Sequence, residues 1–431
     1  MRCGSPVVAT PPLVHDVPTN RARRHARAIP VRGERRPRIN LWRRTPLVAA
    51  LLSLLAFASP TLTLAPLNAS APRAAGPQPI DEISRPIRAP RSLDLVDSLV
   101  RAVSPPAATD VVAVAPRFQA ALDAARAEGA AFGVTFAAVR DGDLLWSGSS
   151  GRARDGRTIL SPASELVIGS VTKTFVAAAI LQLVEEGRLE LDDPVRDHLP
   201  QARDLSGEIT LAALLDHTSG LADLFNDTTR TGLEEHPERA WTADEILGAL
   251  HEPWYAPGEG WAYANTNYYL LGMVIERVTG RSLADELERR FLAPLDLDAT
   301  HLLDGTVGGP LEPAWTTIFW ASGAMTSSAA DLARWGDALY GGTVLDPSTR
   351  RAMLRLNSHD YGLGVQLVEV GDESGYGHTG LLNTYTTLLY HLPAEDVTIA
   401  LLVNRSHVDL GAMLTAEPAD GPSLLELALQ P

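Results

Sequence analysis

Gly169-Ser170-Val171-Thr172-Lys173-Thr174-Phe175 holds the one lysine of a 431-residue chain in which lysine and arginine together number 37. Arginine fills every other such position. The two types differ in one respect that bears on chemistry. A guanidinium keeps its proton in any protein setting, whereas an ammonium gives it up when buried or set in positive potential. One reading of the lone lysine is a leftover of composition. The other is a site that needs an amine able to take up and return a proton. Ser170 stands three residues before it. A glycine precedes the pair and a helical pattern follows, so Ser170 is placed at a helix N-terminus with Lys173 on the same face. Desolvation and the positive helix end both push the Lys173 pKa down. A neutral Lys173 can take the Ser170 hydroxyl proton and make that serine a nucleophile. The first N–H groups of the helix point toward negative charge developing there. Arginine could not act as that base.

Two further short motifs carry chemistry-bearing residues. Tyr263-Ala264-Asn265 follows the turn-forming Pro257-Gly258-Glu259-Gly260, and His378-Thr379-Gly380 lies in the β-rich final third. A glycine in a strand marks a bulge or a close backbone approach. Taken singly, neither motif is specific. In this order and setting, the three motifs resemble those of the penicillin-recognising serine hydrolases, nearest to the class C β-lactamase and D-alanyl-D-alanine carboxypeptidase branch. The runs ITLAALLDHTSGL (209–221), PGEGWAYANTNYYLLGMVIERVTG (257–280) and ASGAMTSSAADLARW (321–335) are similar to that family as well. The resemblance covers residues 116–431.

The resemblance implies a set of roles. Ser170 is the acyl-accepting nucleophile. Lys173 and Tyr263 share the general-base work, and Tyr263 also serves the leaving group. Asn265 hydrogen-bonds the substrate's amide side chain. His378, Thr379 and Gly380 line the strand edge along which a substrate backbone lies, and the oxyanion hole uses the backbone N–H groups of Ser170 and Leu381. The implied activity is a D-alanyl-D-alanine carboxypeptidase-like peptidase or related amidase. The alternatives are an esterase or weak β-lactamase of the same fold, and a penicillin-binding sensor that acylates without turnover. Class C β-lactamases usually carry Lys-Thr-Gly where this chain has His378-Thr379-Gly380, so a weaker, pH-dependent charge is expected to meet a substrate carboxylate. Leu381 is apolar where family members often have Ser or Thr. His217 matches a family turn and is expected to be structural. Tryptophans such as Trp254, Trp261, Trp315 and Trp320 read as core or cleft wall. No cofactor is expected, and the eleven histidines show no metal spacing such as HExxH.

These residues must be positioned by surrounding elements. Residues 171–186 form the nucleophile helix: Val176, Ile180, Leu183 and Val184 recur at helical spacing, and alanines fill much of the rest, so it is predicted to be buried on most sides. A helix is expected over 117–128. It is followed by β-rich runs at 133–139 and 144–147, joined by the hairpin signal Asp141-Gly142. Helices are expected at 209–215, 243–250, 268–279, 283–291 and 329–340. Strands are expected at 361–369, 384–391 and 397–404, then a closing helix at 423–429. Strands that open and close the domain around a helical middle predict an α+β fold, with an antiparallel sheet flanked by helices and a mainly helical lobe inserted.

Bulk composition bounds the rest. With 45% hydrophobic and 21% charged residues, the chain can bury a large core. The net charge of -15 is unevenly spread, because residues 1–46 hold eleven arginines against Asp16 and Glu34. The body is therefore strongly acidic, which argues against nucleic acid as a partner. The basic head leads into the uncharged run LVAALLSLLAFA (47–58), which suits a signal peptide or, extended to about residue 66, a signal anchor. Export to the periplasm or medium is expected, with membrane contact only through that segment if it is uncleaved. Residues 67–115 are rich in Pro, Ala and Ser and read as a flexible linker with a weak helix at 92–103. The catalytic domain is expected over 116–431. The single cysteine, Cys3, precedes the apolar run, so no disulfide is expected in the exported part. The expected partner is a small peptide, ester or β-lactam, with cell-wall peptide as one source.

Overall fold

The computed structural model describes residues 108–202 and 205–430. The basic head, the apolar run, the helix expected at 92–103 and the linker up to residue 107 lie outside the described residues. The first element is helix α1 (Ala108–Glu128). Strands β1 (Gly133–Arg140) and β2 (Asp143–Gly151) follow. They are joined by Asp141 and Gly142, whose φ values of 50° and 84° give the two-residue primed turn that Asp-Gly favours. The short strands β3 (Leu166–Val167), β4 (His301–Leu302) and β5 (Met325–Ser327) form a small sheet in the order β3-β5-β4. Four strands follow late in the chain, β6 (Gln366–Val370), β7 (Glu373–Leu382), β8 (Tyr385–Leu392) and β9 (Val397–Val403), and helices Leu410–Leu414 and Leu424–Leu429 come after them.

The main sheet has the order β2-β1-β9-β8-β7-β6, with every neighbouring pair antiparallel. Pairing of Val134 with Val403 joins the opening and closing segments of the domain. The helices between them form the lobe beside the sheet, which is the expected α+β arrangement. Alternation along the strands separates two cores. Ala137, Val139, Ala400 and Leu402 face the helical lobe. Val134, Phe136, Ala138, Ile399, Leu401 and Val403 face the layer that includes Phe118, Leu122 and Ala125 of α1.

Helix α2 (Thr172–Glu185) runs through the first of these cores, and every residue from Thr172 to Leu181 is buried. Its alanines let neighbouring helices approach. Trp335, on helix Ala329–Gly341, stacks on Phe175 at 3.9 Å between ring centroids and donates its indole N–H to Thr174 Oγ1 at 2.8 Å. These contacts tie the first turn of α2 to helix Ala329–Gly341.

Three expectations need correction. Helix α1, expected from residue 117, starts at Ala108 and passes through Pro116, and Val114 packs on the second core. Proline removes one helical hydrogen bond, and here the apolar packing of the helix outweighs that loss. Residues 361–365 form a turn rather than a strand: Asp360 has φ 58° and the Gly362 N–H donates to the Val365 carbonyl at 2.8 Å. A further helix, Pro313–Gly323, with proline in its first turn, is not among the expected elements. Its sequence, PAWTTIFWASG, has no polar stripe, because Ala314, Ile318, Phe319 and Ala321 are all buried.

Candidate active site

Ser170 sits in a 3-10 turn, Gly169–Val171, that feeds directly into α2. Lys173 follows one turn later and is wholly buried. Its Nζ lies 3.0 Å from Ser170 Oγ, 2.8 Å from Asn265 Oδ1 and 2.7 Å from the Ser322 carbonyl oxygen. Asn265 opens helix Asn265–Thr279, and Ser322 stands near the end of helix Pro313–Gly323. Burial lowers the Lys173 pKa to about 7, with the Asp223 carboxylate opposing the fall.

The orientation of Asn265 follows from its other partners. Its Nδ2 donates to both oxygens of Asp223, at 3.3 and 3.1 Å, and its backbone N–H donates to Asp223 Oδ1 at 3.2 Å. A carboxylate only accepts, so the amide must present Oδ1 to the lysine. The Ser322 carbonyl also only accepts. A neutral amine has two N–H donors and one lone pair. The two fixed acceptors take both donors, and the lone pair is left facing the Ser170 hydroxyl. The uncharged lysine is thereby aimed as a base at one oxygen.

Tyr263 closes the site from the other side. Its ring centroid lies 4.8 Å from Lys173 Nζ and 4.3 Å from the His217 ring. Burial pushes its phenol pKa far above the ordinary value, with the Ser170 hydroxyl opposing the rise. No well-aligned hydrogen bond reaches the Tyr263 hydroxyl among the described residues. His217 is buried with φ 65°, and its Nδ1 accepts from the Ala264 N–H at 3.2 Å and lies 2.9 Å from Asn267 Nδ2. It holds the Tyr263-Ala264-Asn265 segment in place.

Strand β7 passes against the nucleophile turn. A Cβ on Gly380 would meet the Ile168 carbonyl at 1.9 Å and the Ser170 nitrogen at 3.3 Å; one on Gly169, which has φ +53°, would meet the Leu381 nitrogen at 2.8 Å. Glycine at both positions brings the Ser170 and Leu381 nitrogens into one small region. Pairing of β6 with β7 ends at Gly377, so the edge beyond it is open. Alternation puts the N–H groups of Thr379 and Leu381 on that edge. Gln366 Oε1 already accepts from the Thr379 N–H at 3.0 Å and from its hydroxyl at 3.1 Å.

The sequence profile of the family described as Beta-lactamase matches residues 118–417. The chain belongs to the β-lactamase family. Among similar proteins are a D-aminopeptidase of Brucella canis, 28% identical over 63% of this chain and 56% of that protein, and penicillin-binding protein 4 of Amycolatopsis lactamdurans, 28% identical over 67% and 84%. The chain thus spans little more than half the length of the D-aminopeptidases it matches. Two solved structures superpose with TM-scores of 0.60. One is a D-stereospecific amidohydrolase from Streptomyces sp., 31% identical over 70% of this chain and 98% of that one. The other is a D-amino acid amidase from Ochrobactrum anthropi SV3, 26% identical over 69% and 93%. This β-lactamase-family chain thus has D-aminopeptidase and D-amino acid amidase homologues.

In this family member the strand-edge histidine differs from the expectation. His378 is completely buried. Its Nδ1 lies 2.6 Å from the Thr379 carbonyl oxygen, which can only accept, so the proton resides on Nδ1. Nε2 then accepts from the Tyr361 hydroxyl at 3.0 Å. Burial and the charge of Lys173 lower its pKa to about 3. His378 is therefore a neutral strut, not a pH-dependent cation for a substrate carboxylate. The same bond occupies the Thr379 carbonyl, and with Gln366 on the N–H both backbone groups of Thr379 are engaged by the protein itself.

Sequence reasoning missed Asp223, Ser322, Tyr361 and Gln366. Asp223 had a usable signal, because it is a lone carboxylate in the run Leu221-Ala222-Asp223-Leu224-Phe225. Ser322 acts through its backbone carbonyl, which any residue type would provide.

Proposed function

We propose that this chain is an amidase that hydrolyses D-aminoacyl amides or short peptides bearing a free α-amino group, through an acyl-enzyme at Ser170. The observation that carries this reading is the sign of charge at the site. Asp223 is partly open to solvent, and among the described residues its Oδ2 accepts one hydrogen bond, from Asn265, so it retains capacity for a substrate ammonium. The position expected to meet a substrate carboxylate holds neutral, buried His378. A free α-amine suits this arrangement, and the terminal carboxylate of a D-alanyl-D-alanine peptide does not. The D-aminopeptidase and D-amino acid amidase relatives support the same substrate class.

The steps follow from the residues. Neutral Lys173 takes the Ser170 proton as Oγ bonds to the substrate carbonyl carbon. The backbone N–H groups of Ser170 and Leu381 receive the oxyanion. The leaving nitrogen takes a proton from the Tyr263 phenol, which is replenished from the Lys173 ammonium, and the C–N bond breaks. Water then attacks the acyl ester, the same pair removes its proton, and Ser170 leaves as the hydroxyl. Tyr263 acts as a proton carrier rather than a standing phenolate, because burial keeps its phenol protonated at neutral pH. Export, inferred from the arginine-rich head and the apolar run at 47–58, belongs to the same proposal.

The test compares D-alanine 4-nitroanilide with its N-acetylated form, in wild type and Asp223→Asn. We expect kcat/KM to favour the free amine by about tenfold or more, as for a site built to pair a charged group, and the variant to lose most of that preference. Equal rates on the two substrates in wild type would overturn the reading and favour the esterase alternative.

A further inference from the structure

Few large apolar side chains of the described residues are left exposed, and two of them border the site: Phe225 and Leu381, each 37% exposed. Phe225 lies two residues beyond Asp223, and its backbone N–H donates to Asp223 Oδ1 at 3.1 Å. The ring and the carboxylate thus spring from one turn. Phe225 is also one member of a three-ring cluster. Its centroid lies 5.3 Å from Phe319 and 6.1 Å from Trp315, and those two stack at 5.6 Å with an interplanar angle of 18°.

The cluster reaches the catalytic turn. The Phe319 carbonyl accepts from Ser322 Oγ at 2.6 Å, and the Ser322 carbonyl holds Lys173. A Cβ on Gly323 would sit 3.5 Å from Phe319 Cβ, 3.7 Å from Leu382 Cδ2 and 3.8 Å from the Gly169 carbonyl carbon. Gly323 thus lies between the base of the Phe319 side chain and the nucleophile turn. At the rim, Asn383 Nδ2 donates to Glu312 Oε2 at 3.5 Å, tying the end of β7 to the start of the helix that carries Trp315 and Phe319. Glu312 adds negative charge to that rim.

We propose that Phe225, Trp315 and Phe319 form the subsite for the side chain of the acyl residue, and that it selects aromatic and large aliphatic D-residues over small or acidic ones. The inference rests on the aminoacyl amidase reading. An α-ammonium paired with Asp223 and a carbonyl over Ser170 leave the third substituent of the substrate Cα beside the ring that follows Asp223. Aromatic faces there offer area and offset stacking to a ring. Glu312 disfavours an acidic side chain by like charge.

The experiment measures kcat/KM for the 4-nitroanilides of D-phenylalanine, D-leucine, D-alanine and D-aspartate, with 4-nitrophenyl acetate and phenylacetate alongside, in wild type and in Phe225→Ala and Trp315→Ala proteins that melt as wild type does. We expect wild type to favour D-phenylalanine over D-alanine by about tenfold or more, and Phe225→Ala to bring that ratio toward one through KM. A wild-type preference for D-alanine or D-aspartate, or an unchanged ratio in both variants, would overturn the subsite. Failure of the amidase reading looks different. The anilides would then not turn over, while a preference for phenylacetate over acetate that Phe225→Ala removes would still uphold the aromatic subsite.

Discussion

Lys173 Nζ stands 3.0 Å from Ser170 Oγ while its other two partners, Asn265 Oδ1 and the Ser322 carbonyl, can only accept hydrogen bonds. Deprotonation therefore leaves the lone pair with one direction to face. The lysine is a base because of where its two N–H bonds are already committed.

Replacing Lys173 by arginine tests that statement against composition, since arginine serves every other comparable position of the chain. Lys173→Arg should lower kcat/KM by about a thousandfold or more, the scale of losing a general base together with its positioning. Activity within tenfold of wild type would mean that the amine is not the base.

Asp223 should tune the same base. Its negative charge favours the protonated lysine and so holds the Lys173 pKa up. Removing it in Asp223→Asn lets the neutral amine persist to lower pH. The acid limb of kcat/KM, measured with a neutral ester, should move to lower pH, and a limb that moves to higher pH contradicts the assigned network.

His378 should not act as a proton switch for binding. KM for a carboxylate-bearing peptide and for a neutral ester should run parallel between pH 5 and 8. A peptide KM that rises alone near pH 6.5 would restore the charged role. Stability follows from the same burial. The folded pKa of His378 lies near 3, below the unfolded value of about 6.5, so the unfolded chain binds the proton first. This contribution to stability is full above pH 6.5 and is lost as pH falls toward 3. Thermal melts from pH 8 to 4 should show less acid destabilisation in His378→Gln than in wild type.

The helical segment ahead of Pro116 should matter to the body. A protein beginning at Ala108 keeps all of α1, whereas one beginning at Pro116 loses Val114 from the second core. Half-burial of a valine is worth about 1 kcal/mol, so in a body of this size the shorter protein should melt about 1–2 °C lower. Equal melting temperatures would return the boundary to Pro116.

Much of this site could be read from the sequence because its parts are local. Ser170 and Lys173 are one helical turn apart, and the alanine-rich helix announces its own burial. The β-rich ends and helical middle foretold one sheet closed by distant segments, as the β1–β9 pairing shows. The environment of His378 could not be read, because its neutrality comes from tertiary burial and from the charge of Lys173, far away in the chain. The helix Pro313–Gly323 escaped because an element buried on nearly every side shows no amphipathic period. The helix expected from residue 117 starts at Ala108, because packing of Val114 carries it through Pro116.

The most direct test of the central claim is the pH dependence of Ser170 labelling by a neutral fluorophosphonate, whose own charge does not change with pH. The second-order rate constant should be low at pH 5, rise through a midpoint near 7 and level off above it, because only the neutral form of Lys173 can accept the serine proton. A rate constant that stays flat from pH 5 to 9 would show that Lys173 is not the base that activates Ser170.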